Sequence, residues 1–333
     1  MLHVGRRQTL ALAAGTAAFG LAPGRASALP AKPAPLATRV KLTLGVNTVP
    51  HAAPLQTIAD ALRPLGVDVE AVKFERYADI RTALASGSID VGTIGPADVP
   101  IAVSQGIKSI VALMGLGISP KNPIVKTGVT VEKWDDLIGK RVGVAPGSAV
   151  WFQFAATLTE AGVPYNKLNV LNMQGAGTAM VQAMQRGDID VFVCWEPFES
   201  MAVAQGIATR DTRLDYSTSK AVGAELGLMG ANRSYIDAHR DAMQRFIWAY
   251  LDIQAQLMQS KAALAQGVAA FTGLSLPIAT NIAGTLQLGQ FLTLDQMQRQ
   301  AAEFYKLGVL TKDVSADLPH YFDVALVESV TRA

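Results

Sequence analysis

A chain of 333 residues, half of them hydrophobic and 17% charged, with 29 Gly and 7% aromatic residues, is long enough for two packed domains and too apolar for disorder. Its one cysteine, Cys194, excludes an internal disulfide, a Cys/His zinc cluster and a cysteine-held iron–sulfur centre, so no metal or other cofactor is expected. The 29 Lys+Arg against 27 Asp+Glu form no basic stripe, which speaks against nucleic acid as a partner.

The N-terminus reads as an export signal. Arg6-Arg7 precede an apolar run from Thr9 to Ala22, and Ala26-Ser27-Ala28 supply a small-residue cleavage site. The run is 14 residues, short of the roughly 20 a membrane-spanning helix needs. Gly5-Arg6-Arg7-Gln8-Thr9-Leu10 matches a twin-arginine pattern; an ordinary secretory signal carrying two arginines is the alternative. Removal of residues 1–28 would leave 26 basic against 27 acidic residues. No cysteine follows the run to carry a lipid, so a freely diffusing periplasmic protein is expected, with residues 29–39, rich in proline, as a linker.

The body then alternates strands and helices. Strands are predicted over 41–46, near 67–74, over 90–94 and over 108–115, with helices over 55–65 and before Gly87. A second series has strands over 141–145, 169–173 and 190–194 and helices over 149–161 and 180–186. The two series are copies. Ala83–Ile107 and Ala183–Ile207 share 10 of 25 positions, among them Gly87-x-Ile89-Asp90-Val91 with its counterpart Gly187-x-Ile189-Asp190-Val191. Two βαβαβα units make two parallel-sheet lobes, an α/β fold with the cleft between lobes as the place for a ligand. The crossovers are expected over 116–128 and 222–231; beyond Ser234 only helices are expected, the longest burying Met243, Phe246, Ile247, Tyr250, Leu251, Gln254, Leu257 and Met258.

Four segments, Ala83–Gly95, Trp134–Ser148, Ala183–Phe198 and His239–Tyr250, together resemble the periplasmic solute-binding proteins of ABC importers for nitrate, taurine, aliphatic sulfonates and thiamine-pyrimidine precursors. That resemblance implies a bilobal type II binding protein. Lobe one would be discontinuous, 40–116 plus 227–333, and lobe two would be 117–226. It also implies a monomer that delivers its ligand to an inner-membrane permease and performs no chemistry.

Candidate ligand contacts lie in the strand-to-helix loops, where free N–H groups and the positive end of the helix dipole face outward. Gly147, Ser148 and Ala149 combine a flexible backbone, a hydroxyl and a first turn without acids; capping is the alternative role for Ser148. Gly175 and Thr178 form a weaker version. Asp98, beside Gly95 and Pro96, and Glu196 could hold an ammonium group, or simply favour a helix start. Trp195 offers an apolar face, whereas Trp151 is expected in the core. Asn47, Thr48 and His51 end the first strand, and Glu225 lies at the second crossover. No arginine occupies these loops, so no bidentate clamp is expected. The reading is a binding protein for a small organic anion or zwitterion, sulfonate- or taurine-like. A ring compound, such as a pyrimidine precursor or an aromatic acid, and an enzyme on the same fold are the alternatives.

Overall fold

The computed structural model describes residues 31–173 and 177–331; the predicted signal segment and Gly175 fall outside them. The chain runs β1 (Val40–Asn47), α1 (Ile58–Leu62), β2 (Val67–Phe74), α2 (Tyr77–Ser86), β3 (Val91–Ile94), α3 (Asp98–Ser104) and β4 (Ile110–Gly115). After the first crossover, with β5 (Gly117–Ile118), come β6 (Ile124–Lys126), β7 (Arg141–Val144), α4 (Ala149–Glu160), β8 (Asn169–Asn172), α5 (Gly177–Arg186), β9 (Val191–Phe192), α6 (Phe198–Ala204) and β10 (Ala208–Arg210). The second crossover leads to β11 (Leu228–Asn232), α7 (Arg233–Ala238), α8 (Arg240–Leu257), α9 (Lys261–Thr272), α10 (Leu276–Thr285), β12 (Gln287–Leu288), α11 (Leu294–Lys306) and α12 (Val324–Thr331).

Two five-stranded sheets result, in the orders β2-β1-β3-β11-β4 and β8-β7-β9-β6-β10. The topology is the same in both. Three parallel strands come first, then one antiparallel strand, which in each sheet is the strand that enters from a crossover. This is the bilobal architecture expected from the duplication.

The repeat also explains local detail. Asp90 accepts the Thr43 N–H at 2.7 Å and Asp190 accepts the Arg141 N–H at 3.0 Å, so each copy uses its aspartate to hold β1 or β7, the middle of the three parallel strands of its sheet. Gly45 on β1 and Gly143 on β7 lie under Ile89 and Ile189; an added Cβ would come within 2.4 and 2.9 Å of those side chains. Gly87 and Gly187 take φ of +74° and +81°, the left-handed conformation that ends α2 and α5.

Two expectations are corrected. The helix over 55–65 is broken into a 3-10 turn, Pro50–Gln56, the five residues of α1, and a second turn, Arg63–Leu65. Pro54 and Pro64 lack the N–H groups that a continuous helix requires. The crossovers carry β5, β6 and most of β11. The all-helical C-terminus contains β12, which pairs antiparallel with β5.

The C-terminal helices close the first sheet. Leu42, Leu44 and Val46 of β1 share a core with Met243, Phe246, Ile247 and Tyr250 of α8, as the helical spacing predicts, while Met258 is exposed. Ahead of β1, Leu36 N–H donates to Leu65 O and Arg245 donates to Ala34 O. Behind the cleft, Phe152 of α4 stacks on Phe304 of α11 with ring centres 4.2 Å apart. Gln153, Gln296 and Gln300 donate to the carbonyls of Gly223, Ala221 and Val222, fixing the second crossover from both lobes.

Candidate functional site

The carboxyl ends of the two sheets face a cleft with a cavity of about 190 Å³. Of the residues expected to hold a ligand, Asn47, His51, Gly95, Asp98, Gly147, Ser148, Ala149, Trp195 and Glu196 line it. Four are placed elsewhere. Thr48 and Pro96 are absent from the wall, and Thr178 sits exposed on the outer side of α5. Glu225 turns away from the cavity and accepts the N–H groups of Leu116 and Gly117, both at 3.0 Å. It thereby ties the two crossovers together, alongside a backbone bridge between Ile118 and Glu225.

Gly147 has a φ of +82°, so the turn before α4 needs glycine. Ser148 caps α4 by accepting the Trp151 N–H at 3.3 Å. Its own O–H proton remains available to the cavity, and no acid occupies the first turn. Trp151 stays off the wall, its indole N–H donating to Tyr165 at 2.8 Å, which matches its expected structural role.

The carboxylates of the cleft are held by arginines. Asp98, 5% exposed, ion-pairs with Arg81 and accepts the Gly95 N–H at 2.6 Å. Burial nonetheless raises its pKa above the usual carboxylate range, against the pull of Arg81. Glu196 accepts from Arg210 at 2.5 Å and from Ser200; Glu199 accepts from Arg210 at 3.0 Å. Neither arginine comes from the strand-to-helix loops, and Arg81 lies within α2. Arg210 projects from β10, an edge strand outside the loops considered, and Arg76 stands at the mouth, paired with Asp79 at 2.9 Å.

His51 is buried and lies 2.5 Å from the Tyr77 hydroxyl. Burial, followed by the charge of Lys121, pushes its pKa down to about 3, so it is a neutral imidazole sharing a hydrogen bond with tyrosine. Asn47 donates its amide to Phe74 O and Glu75 O at 3.0 and 2.7 Å, which leaves its carbonyl oxygen as the group it can offer the cavity.

Sequence reasoning missed Lys121. It lies in the first crossover, 3% exposed, on the cavity wall, and its Nζ has no hydrogen-bond partner among the described residues. Its backbone is clamped, with its N–H donating to Asp215 at 3.0 Å and its carbonyl accepting from Tyr216 at 2.8 Å. Burial lowers its pKa to about 8, opposed by the charges of Glu199, Glu225 and Asp215. Also missed were Ile282 and Leu286, which bring α10 and its C-terminal end to the cavity opposite Trp195 and Met173. Sequence patterning marks Ile282 as apolar but gives no sign that a C-terminal helix reaches the cleft.

A family model described as NMT1/THI5 like matches residues 63–261, more than half of the chain. The chain belongs to that family. It is 27% identical over 189 residues to the taurine-binding periplasmic protein of Escherichia coli (strain K12), a match spanning 57% of each chain. Its fold is that of the alkanesulfonate-binding protein SsuA from Xanthomonas axonopodis pv. citri, solved bound to MOPS, with a TM-score of 0.70 at 19% identity over 86% of this chain and 99% of that one. The periplasmic nitrate-binding protein NrtA from Synechocystis PCC 6803 matches with a TM-score of 0.73 at 15% identity, covering 90% of both. These relatives are binding proteins. Among the described residues no helix is long and apolar enough to cross a membrane, and no group of three or more His, Cys, Asp or Glu could hold a metal ion.

Proposed function

We propose that the chain is the periplasmic substrate-binding component of an ABC importer, which captures a small organic anion in the interlobe cleft and presents it to an inner-membrane permease. The observation that carries this is the start of α4: Gly147, Ser148 and Ala149 line the cavity at the carboxyl end of β7 and bring to it the positive end of the helix dipole, a hydroxyl and no acid, while the Ser148 N–H is itself bonded to Ala145 O at 3.1 Å. The names of the relatives support the same substrate class, sulfonate-like, and the same compartment. The moving bodies are residues 40–116 plus 227–333 and residues 117–226, in a single chain acting as a monomer. Closure is a hinge motion at the two crossovers, favoured by a ligand that touches both lobes.

The groups facing the cavity suit holding better than reacting. The carboxylates are locked by Arg81 and Arg210, His51 is neutral and bonded to Tyr77, and Cys194 is fully buried, its thiol pushed up by burial. Trp195, partly buried and edge-on to Phe198, favours a ring or alkyl body on the ligand. The test is thermal unfolding against alkanesulfonates, aromatic sulfonates and carboxylates, taurine, nitrate and pyrimidine precursors. A ligand bound by the folded state alone raises the midpoint. Ser148→Ala should then weaken binding by about 1–3 kcal/mol. No midpoint shift with any anion, or full affinity in a folded Ser148→Ala variant, would overturn the reading.

A further inference from the structure

Each acidic side chain that is deep in the cleft already has a cation. Asp98 has Arg81, while Glu196 and Glu199 share Arg210. Glu225 lies beneath the wall, occupied by two backbone N–H groups. At the exposed mouth Glu75 and Arg76 stand next to each other with opposite charges. Among the described residues, the one buried cation on the cavity wall without a hydrogen-bond partner is Lys121, whose Nζ is itself buried and whose backbone is fixed by Asp215 and Tyr216. Glu199, Glu225 and Asp215 offset part of its charge, but a buried ammonium without a hydrogen-bond partner is costly, and an anion in the cavity lowers that cost. Apolar side chains make up another part of the cavity wall: Val49, Met173, Trp195, Ile282 and Leu286.

We propose that Lys121 is the charge anchor of the cleft, pairing with the head group of a bound organic monoanion, and that the cleft selects such anions over zwitterions because the deep carboxylates on its wall, Asp98, Glu196 and Glu199, are already paired with arginine. This rests on the reading of the cleft as an anion site. It runs against simple transfer of taurine from the E. coli relative, since taurine carries both charges. The ligand class is a sulfonate or carboxylate whose body is uncharged and apolar. Deep in the cleft an ammonium would give up its hydration for no charged partner, the Asn47 carbonyl oxygen being the acceptor on offer.

Propane-1-sulfonate and taurine differ by a methyl group in place of the ammonium, so the pair isolates the second charge. Calorimetric titration of the purified protein at pH 7 should give an affinity for propane-1-sulfonate at least tenfold above that for taurine. Lys121→Met keeps the apolar stem and removes the charge; it should weaken propane-1-sulfonate binding by tenfold or more. Lys121→Gln should do the same, and circular dichroism would establish that both variants fold. Taurine binding equal to or tighter than propane-1-sulfonate overturns the selectivity. Unchanged propane-1-sulfonate affinity in folded Lys121 variants overturns the anchor and leaves the anion site standing. If the parent protein binds no member of a sulfonate and carboxylate panel, the anion site falls and the anchor with it.

Discussion

Replacing Glu225 by glutamine should change how stability depends on pH. The carboxyl is 3% exposed between the crossovers, and burial raises its pKa from 4.5 to about 8, outweighing the N–H groups of Gly117 and Leu116 and the charge of Lys121. A carboxyl whose folded pKa is raised binds its proton more tightly in the native state. Its contribution is therefore fully present below pH 4.5 and is lost as the pH rises to about 8. At about 1.4 kcal/mol for each tenfold change in proton affinity, the loss approaches 5 kcal/mol, an upper bound. Glu225→Gln keeps an oxygen for the two N–H groups and mimics the neutral carboxyl. Glu225 Oε2 already lacks a partner, so an amide nitrogen there adds no new unpaired group. Urea denaturation should find parent and variant equally stable near pH 4.5, and the variant more stable by several kcal/mol at pH 9. Glu199, raised by burial to about 8, shares the sign, whereas Lys121, lowered to about 8, and His51, lowered to about 3, have the opposite one, and all three remain in both proteins. The difference between the two curves thus reports Glu225 together with its coupling to Lys121. Parallel curves across this range would refute the assignment of a raised pKa to the hinge carboxyl.

Arg210→Met should destabilise the protein by about 3–5 kcal/mol at pH 9, because it strips the shared cation from Glu196 and Glu199, and by less at pH 6, where Glu199 can take up a proton. Denaturation at the two pH values checks this. Gly177→Ala should cost about 1–3 kcal/mol, read in the same way, since the new Cβ would fall 2.1 Å from the Phe198 ring and 2.8 Å from Cys194 Sγ. That contact holds α5 against the helix that carries Glu199.

Much of the fold was legible because the gene duplication repeats its own physical solution. Gly87 and Gly187 end helices, and Asp90 and Asp190 hold the corresponding strands β1 and β7, so two imperfect copies reinforce each other where one would be ambiguous. The buried stripe of α8 was legible for a different reason, since helical period and burial agree over 18 residues. The elements that escaped are short and depend on partners remote in sequence. β5 and β12 have two residues each, and Gly117 pairs with Leu288 across 171 positions. No local pattern specifies such a pair; what forms it is the return of the C-terminal block to the crossover.

The candidate site divides along the same line. Backbone features of the loops, such as the left-handed Gly147 and the Ser148 cap, are encoded within a few residues and were found. The charge state of the cleft is not encoded locally. Asp98 and Glu196 looked equally open to an ammonium until Arg81, 17 residues away, and Arg210, 14 residues away, were seen to neutralise them. Lys121 looked like one more surface lysine in a Pro-rich crossover, and only folding reveals that it is buried without a partner. In a cleft assembled from two lobes, ligand charge is set by what remains after the side chains have paired with one another. Residue types at loop positions report the gross charges, while selectivity follows from the remainder, which here is a single ammonium group.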